Sequence, residues 1–145
     1  MAITQALANS FKKQLLDGDH SFASGSDVYK IALYTSSATL NSATTSYTTG
    51  NEVGNSGQYS AGGGKLTGNN TSIASGVAIV DFADRSFTGV TLTARGALIY
   101  NTSSTATNAA VAALDFGADK TATSGTFTIQ FPAFTTAAAI LRISG

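Results

Sequence analysis

Residues 126–131 read Thr-Phe-Thr-Ile-Gln-Phe, a strict alternation of polar and apolar side chains. A period of two is typical of a β-strand with one face in the core, because successive side chains point to opposite faces of a sheet. Phe127, Ile129 and Phe131 therefore form the inward face of this predicted strand. Pro132, the only proline in the chain, ends it because proline has no N–H to donate to a neighbouring strand.

Other strand-like segments surround this one. Val90, Leu92 and Ala94 alternate with polar residues, and apolar or β-branched runs occupy residues 28–35, 77–82, 97–100, 111–116 and 137–143. Short strands at this spacing, joined by turns rich in Thr, Ser and Gly, predict an all-β fold. We expect an antiparallel sandwich or jelly-roll-like barrel with a short N-terminal α-helix. The predicted core cluster contains Ile79, Leu92, Ile99, Phe127, Ile129, Phe131 and Leu141.

The N-terminal segment has a different period. Four apolar side chains recur at every fourth residue, which places them on one face of an α-helix. This N-terminal stripe consists of Ile3, Leu7, Phe11 and Leu15. Thr4 is the predicted N-cap, and Gly18 is predicted to end the helix. The stripe either packs on the core of its own domain or docks on a neighbouring subunit, so its four residues are candidate partner contacts.

The predicted domain organisation is simple. Residues 1–18 form an N-terminal helix or arm, and residues 19–145 form a single β-sandwich domain. Within it, residues 36–76 form a long polar loop region with repeated Gly and Asn turn signals and only a short strand near residues 59–66. So long a weakly patterned stretch is unusual unless it is functional or ordered by a partner. We therefore expect residues 41–72 to contact neighbouring subunits.

The composition is polar but nearly uncharged. Ala, Gly, Ser and Thr number 24, 15, 17 and 21, more than half of the 145 residues, whereas charged residues make up only 11%. Eight acidic residues balance eight basic ones, so net charge does little to keep a free monomer soluble. The basic residues are scattered, which argues against direct nucleic-acid binding, since that requires a basic patch. The composition favours a subunit of a large assembly.

Few residues offer catalytic or metal chemistry. The chain has no cysteine, so disulfides and thiolate metal sites are excluded. The only histidine, His20, follows Asp17 and Asp19, but two carboxylates are only the beginning of a calcium loop, and we interpret this segment as a solvated turn. Residues 62–68 (GGGKLTG) lack the residues that a phosphate-binding loop requires at fixed positions.

Asp81, Asp84 and Asp115 lie at the ends of predicted strands and are the remaining candidates for a catalytic carboxylate pair. Carbohydrate-cleaving sites usually add exposed tryptophan or several tyrosines to such a pair, and this chain has no tryptophan. We therefore predict that the protein is not an enzyme and that it has no catalytic residue, no cofactor and no metal site.

Signals for membranes and secretion are also missing from the sequence. No apolar run approaches the roughly 18 residues of a transmembrane helix, so no membrane association is predicted. The N-terminus lacks a basic region followed by an apolar one, so it is not expected to be a signal peptide. If the protein leaves its cell, we expect it to do so by lysis.

Six stretches of the sequence resemble a group of small structural proteins of tailed-bacteriophage virions. They are residues 4–16 (TQALANSFKKQLL), 31–40 (IALYTSSATL), 47–52 (YTTGNE), 59–63 (YSAGG), 93–101 (TARGALIYN) and 115–120 (DFGADK). Together they span nearly the whole chain, and TARGALIYN is the most specific of them. The resemblance brings no catalytic or binding residues with it.

The resemblance implies a non-enzymatic virion protein that is assembled in the host cytoplasm. Its first implied role is capsid cement, also called decoration, which stabilises the head shell by binding between major capsid subunits. The alternatives are a tail, head-fibre or other virion component and, further away, a receptor- or carbohydrate-binding module. The implied partners are the major capsid protein and further copies of this chain, with a homotrimer at local three-fold points favoured.

Overall fold

The computed structural model describes residues 2–132 and 139–144. These contain one helix and eight strands: β1 (Ala6–Leu7), α1 (Asn9–Leu16), β2 (Tyr29–Tyr34), β3 (Gly64–Lys65), β4 (Asn70–Ala74), β5 (Val77–Asp81), β6 (Arg85–Asn101), β7 (Ala109–Ile129) and β8 (Leu141–Ile143). The strands form two antiparallel sheets. The large sheet has the order β1-β7-β6-β2-β3, and the small sheet has the order β4-β5-β8. The predicted all-β fold with a short helix is confirmed.

The β6–β7 hairpin is the longest element of the fold. Its register runs from Asn101 opposite Ala109 to Arg85 opposite Ile129, with several irregular steps. β6 alternates between buried and exposed side chains over residues 90–94, and β7 does so over residues 126–129, which is the period of two that the sequence showed. At the ends next to the hairpin loop, called the inner halves here, both strands are buried on two faces. Residues 97–100 and 111–114 are therefore continuous apolar runs.

A wide bulge bends this hairpin. Ala94 pairs with Lys120 and Gly96 pairs with Asp115, so residues 116–119 of β7 lie opposite Arg95 alone. The Asp115 carboxylate holds the bulge by accepting hydrogen bonds from the Gly117 amide (2.8 Å) and from Arg95 Nε (3.1 Å). These bonds, the one from Gly117 first, lower the pKa of Asp115. Bulges of this kind redirect a strand, and here the bulge turns the outer half of the hairpin away from the inner half.

The predicted core is largely confirmed. Leu92, Ile99, Phe127, Ile129 and Leu141 all belong to one buried cluster, and Phe131 is partly buried against it. Ile79 is also buried but lies outside that cluster. Of the predicted strand at residues 137–143, residues 137 and 138 lie outside the described residues, and β8 occupies its end.

The helix begins later than predicted. It starts at Asn9, and its N-cap is Ala8, which makes no side-chain capping bond, so the prediction of Thr4 as N-cap is wrong. The reason is that Ala6 and Leu7 pair with β7 as an edge strand instead of entering the helix. The apolar spacing of four residues therefore spans a strand and a helix.

The end of the helix is as predicted. Gly18 has a left-handed φ of 81° and donates to Leu15 O (3.2 Å), while the Asp19 amide donates to Gln14 O (2.9 Å). This pair of bonds is a Schellman motif, which favours glycine because a Cβ is strained at that φ.

The region 36–76 is less loop-like than the sequence suggested. It contains β3, paired with β2, and β4, paired with β5. Ser75 and Gly76, both with positive φ (51° and 76°), form the two-residue turn between β4 and β5. Positive φ at both positions is the geometry of a type I′ hairpin turn, whose twist matches that of the flanking strands.

We expect Ile129→Ala to lower the free energy of unfolding by about 2–5 kcal/mol, because it removes a buried side chain and leaves a cavity. Ile143→Ala is the matched control, since Ile143 is 58% exposed and its truncation should change stability by about 0.5 kcal/mol or less. Urea denaturation with an unchanged slope is the measurement. Equal effects of the two substitutions would show that the inward face of β7 is misassigned.

Candidate docking groove

An apolar groove of about 510 Å³ separates α1 from the small sheet. Leu7, Phe11 and Leu15 line one side of it, and Val80 and Leu141 line the other. The groove exists because α1 packs against the start of β7 while the small sheet is connected to the large one through the turn between β5 and β6. Concave apolar surfaces of this size are common binding sites.

The exposed apolar side chains of the molecule converge at this groove. Among the described residues, the large hydrophobic side chains that are exposed are Leu16 (88%), Ile73 (72%) and Ile143 (58%). Leu16 and Ile143 line the groove directly. Ile73 pairs with Ala78, which also lines the groove and pairs on its other side with Ile143. Directly paired residues share a face of a sheet, so Ile73, Ala78 and Ile143 form one apolar row beside the groove.

The small sheet also offers an open edge. β4 is its outer strand in the described part of the chain, and all five of its residues are exposed. Its sequence, Asn-Thr-Ser-Ile-Ala, has no charge and no proline. Natural edge strands usually carry such features, since an unprotected edge readily pairs with another chain. The groove and the β4 edge are adjacent and together form the candidate docking surface.

The charges at the groove are basic. Lys12 and Arg142 lie at its walls, and no acidic side chain is among the described residues that line it. Lys12 Nζ donates a hydrogen bond to Asn9 Oδ1 (3.4 Å) on the same helix. The groove therefore favours a partner segment that is neutral or acidic at its flanks.

The predicted N-terminal stripe is divided between core and groove. Leu7, Phe11 and Leu15 line the groove, although Phe11 is only 2% exposed and belongs mainly to the domain core. Ile3 lies elsewhere: it is buried, forms a bridge with Leu40 and packs against Gly96. As partner contacts the four residues remain a prediction.

The most exposed groove residues were not identified from the sequence. Leu16 lies one position outside the predicted stripe, and Ile73 lies in the region predicted to be polar loop. The alternation of Leu141, Arg142 and Ile143 predicts that Ile143 faces inward, which is wrong, since it is 58% exposed. The signal that identifies them is their meeting in space, which depends on the pairing of β4, β5 and β8.

A half-buried carboxylate orders much of the region 36–76. Glu52 Oε1 accepts a hydrogen bond from the Tyr47 hydroxyl (2.5 Å), and Glu52 Oε2 accepts bonds from the Tyr59 hydroxyl (2.7 Å) and the Gly62 amide (2.7 Å). The Tyr59 oxygen in turn accepts the Leu33 amide of β2 (2.7 Å). This Glu52 cluster ties three parts of the region to the large sheet without any partner.

Further tyrosines extend the same cluster. The Tyr34 hydroxyl donates to Thr48 O (2.6 Å), the Tyr100 hydroxyl donates to Gly62 O (2.5 Å), and the rings of Tyr47 and Tyr100 stack with centroids 4.8 Å apart. Burial raises the pKa of Tyr100 to about 12 and raises the pKa of Tyr34 still further. These phenols therefore stay protonated near neutral pH and act as structural donors.

The glycine-rich segment at residues 62–64 packs against the chain itself. A side chain at Gly63, which has a φ of 80°, would place its Cβ 1.8 Å from the Ile31 carbonyl oxygen. A Cβ at Gly96 would lie 2.4 Å from Leu114 O and 2.8 Å from Ile3 Cδ1. These glycines allow close backbone approach, and the segment is not shaped around a phosphate.

The segment Asp17–His20 is only partly the solvated turn that the sequence predicts, because His20 is buried. The Asp17 carboxylate pairs with Lys13 Nζ at 2.6 Å, and Asp19 Oδ1 accepts the Thr105 amide at 2.7 Å. Across residues 2–132 and 139–144, no three Asp, Glu or His side chains gather as a metal site would require. Asp84 and Asp115 accept backbone amides, from Phe131 and Gly117 respectively.

No helix within residues 2–132 and 139–144 is long and apolar enough to cross a membrane.

No protein-family model matches this chain. No curated protein and no solved structure matches it significantly. The site is therefore described from its own residues. Those residues show that the stretches 47–52, 59–63, 93–101 and 115–120 carry the contacts that hold loops and bulges in place.

We expect the folded protein to show almost no tyrosinate absorbance at about pH 11, because the pKa of each of its five tyrosines is raised above 10.0, chiefly by burial. The unfolded chain should be largely ionised at that pH. The stabilisation gained by burying protonated tyrosines is intact below pH 10. It is lost as the pH rises, because the unfolded state then releases more protons than the folded state. Spectrophotometric titration with and without denaturant tests it, and coincident curves would contradict the burial.

Proposed function

We propose that this protein is a non-enzymatic structural component of a bacteriophage virion, most specifically a capsid cement or decoration protein. The resemblance of its sequence stretches to small virion proteins supports this class. So does the use of those stretches in the fold, since their Tyr, Glu and Arg–Asp contacts serve packing and turn geometry. A protein of this kind acts by binding surfaces and needs no reactive group.

The observation that carries the docking role is the exposure of Leu16 and Ile143 in one apolar groove, with Ile73 in the paired row beside it. Soluble monomers seldom expose large apolar side chains together unless a partner covers them. We assign the groove to a neutral, extended segment of a major capsid subunit. Its backbone pairs with the open edge of β4, and its apolar side chains enter the groove, as in strand addition to a free sheet edge.

The surface outside the groove is compatible with close packing among other capsid subunits. The outward face of the β6–β7 hairpin carries paired hydroxyls, with Ser86 and Thr128 oxygens 2.9 Å apart and Thr93 and Thr121 oxygens 2.8 Å apart. Such a face is hydrated but uncharged. Contacts made by uncharged groups are little affected by salt, unlike surface ion pairs.

We further propose that the protein acts as a homotrimer at local three-fold points of the capsid. A single domain of 14.6 kDa offers a modest interface, which must first offset the entropy lost on association. Linking three copies makes the second and third contacts intramolecular and raises their effective concentration. Sedimentation should give the mass of three chains, and a monomer both in solution and on the particle would contradict the trimer.

We expect Leu16→Arg and Ile73→Arg to weaken binding to capsids that lack the protein by at least about tenfold, because a buried guanidinium has no partner in an apolar groove. Both side chains are exposed in the free protein, so folding should be unaffected. Co-sedimentation with purified capsids, with bound protein quantified over a concentration series, is the measurement.

Thr123→Arg is the matched control for these variants, because Thr123 is an exposed residue of β7. It should bind capsids like the unmodified protein. If the groove variants bind as well as this control, the docking surface lies elsewhere. If no variant and no unmodified protein binds, the cement role itself is wrong.

A further inference from the structure

His20 sits in a closed network of buried polar groups. The His20 side chain is 6% exposed, and Asn101 of β6 is fully buried beside it. Asn101 Nδ2 lies 2.9 Å from His20 Nδ1 and 2.8 Å from Asp27 Oδ2. His20 Nε2 lies 2.9 Å from Gln14 Oε1 on α1. The network therefore joins the helix, the loop after it and the central strand of the large sheet.

The orientation of the Asn101 amide is fixed by its other partners. Asp27 Oδ2 is an acceptor and also receives the Ser21 amide (3.0 Å), so the Asn101 group facing it must be the NH2. Asn101 Oδ1 accepts the Ser103 amide at 2.8 Å, which fixes the opposite end. The amide cannot flip without losing both bonds.

This fixed amide determines the protonation state of His20. The second N–H of Asn101 points at His20 Nδ1, so that nitrogen must present a lone pair. The ring is then neutral and carries its proton on Nε2, which donates to Gln14 Oε1. A proton on Nδ1 would place two N–H donors face to face inside the protein, which costs the bond and leaves both donors unsatisfied.

We propose that His20 is a pH-sensitive latch: the neutral ring holds α1 and the loop at residues 102–108 on the large sheet, and protonation of Nδ1 releases them. The loop belongs to the latch because Asp19, next to His20, accepts the Thr105 amide, and Asn101 itself accepts the Ser103 amide. Phe11 of α1 packs on the His20 ring with centroids 4.9 Å apart, so the ring is also part of the helix contact.

Burial, and not the surrounding charges, sets the direction of the effect. The charged groups that act on the ring are Asp19 and Asp27 on the same loop, while Lys12 on α1 and Arg142 on β8 line the same groove. Burial lowers the pKa of His20 below 6.5 and outweighs the two carboxylates, which raise it. The released state therefore binds more protons than the latched one. The latch is complete above pH 6.5. Between that value and the lower pKa of the latched ring, the ratio of latched to released protein falls by about tenfold for each pH unit.

Release of the latch would also alter the groove. Phe11, Leu15 and His20 all line it, so loosening α1 removes one of its walls. Weaker docking at low pH follows only if the groove is the capsid-binding surface, which rests on the proposed function. The latch itself is tested on the isolated protein, so the two claims fail separately.

Magnetic resonance of the isolated protein tests the latch directly, because His20 is the only histidine in the chain. At about pH 7.5 the ring should carry its proton on Nε2, and its titration midpoint should lie below 6.5. Between about pH 7.5 and 5, amides of α1 should lose hydrogen-exchange protection, after correction for intrinsic rates, while amides of β2 keep theirs. A ring protonated on Nδ1 at the higher pH, or α1 protection that does not change, would overturn the proposal.

Two variants separate the roles of the ring nitrogens. His20→Asn keeps an acceptor near the Nδ1 position and cannot titrate in this range, so α1 should stay protected at both pH values. His20→Gln places its amide near the Nε2 position and leaves Asn101 without an acceptor, so α1 should be poorly protected at both. A pH-dependent loss of protection in His20→Asn would contradict the latch. The measurement on the unmodified protein decides the matter if either variant fails to fold.

Discussion

The backbone pairing between β6 and β7 organises the large sheet, because β1, β2 and α1 are each attached to one of these two strands. β2 pairs along the inner half of β6, and β1 and α1 contact the start of β7. The bulge opposite Arg95 separates the inner half of this hairpin from an outer half in which Phe87, Val90 and Leu92 are buried. An isolated hairpin is barely stable in water, so this buried row is needed to hold the outer half in place.

In a chain with so few charges, several polar side chains fix loops. Glu52 gathers two tyrosines and a glycine amide, Asp115 holds the bulge, and Asn101 joins His20 to Asp27. Each carboxylate or amide is close to fully bonded, which is the condition under which buried polar groups favour one structure over its alternatives. The region 36–76 is therefore ordered from within, and its outward part, β4, is left free to meet another chain.

The sequence correctly predicted the features that depend on the spacing of neighbouring apolar and polar residues. Alternation of side chains located the strands between residues 77 and 131, and Gly18 correctly ended the helix. It misplaced the helix start, because a spacing of four residues cannot distinguish one helix from a strand followed by a helix, and the pairing of Ala6 with Ala113 decides between them. The groove was beyond reach for the same reason. Ile73 and Ile143 lie far apart in the sequence, and only the register of β4, β5 and β8 brings them into one row. The Glu52 cluster joins residues that are closer in sequence, but they meet through turns that carry no periodic pattern.

The polar groups of this protein hold its own loops, while its exposed apolar side chains gather at one surface. That division suits the proposed cement role, since a cement protein must keep its own fold and bind a partner at a defined surface. The most direct measurement of the central claim is the copy number of this protein in purified virions, obtained by quantifying its band against that of the major capsid protein. The account predicts a copy number comparable with that of the major capsid protein. A few copies per particle, or none, would contradict it.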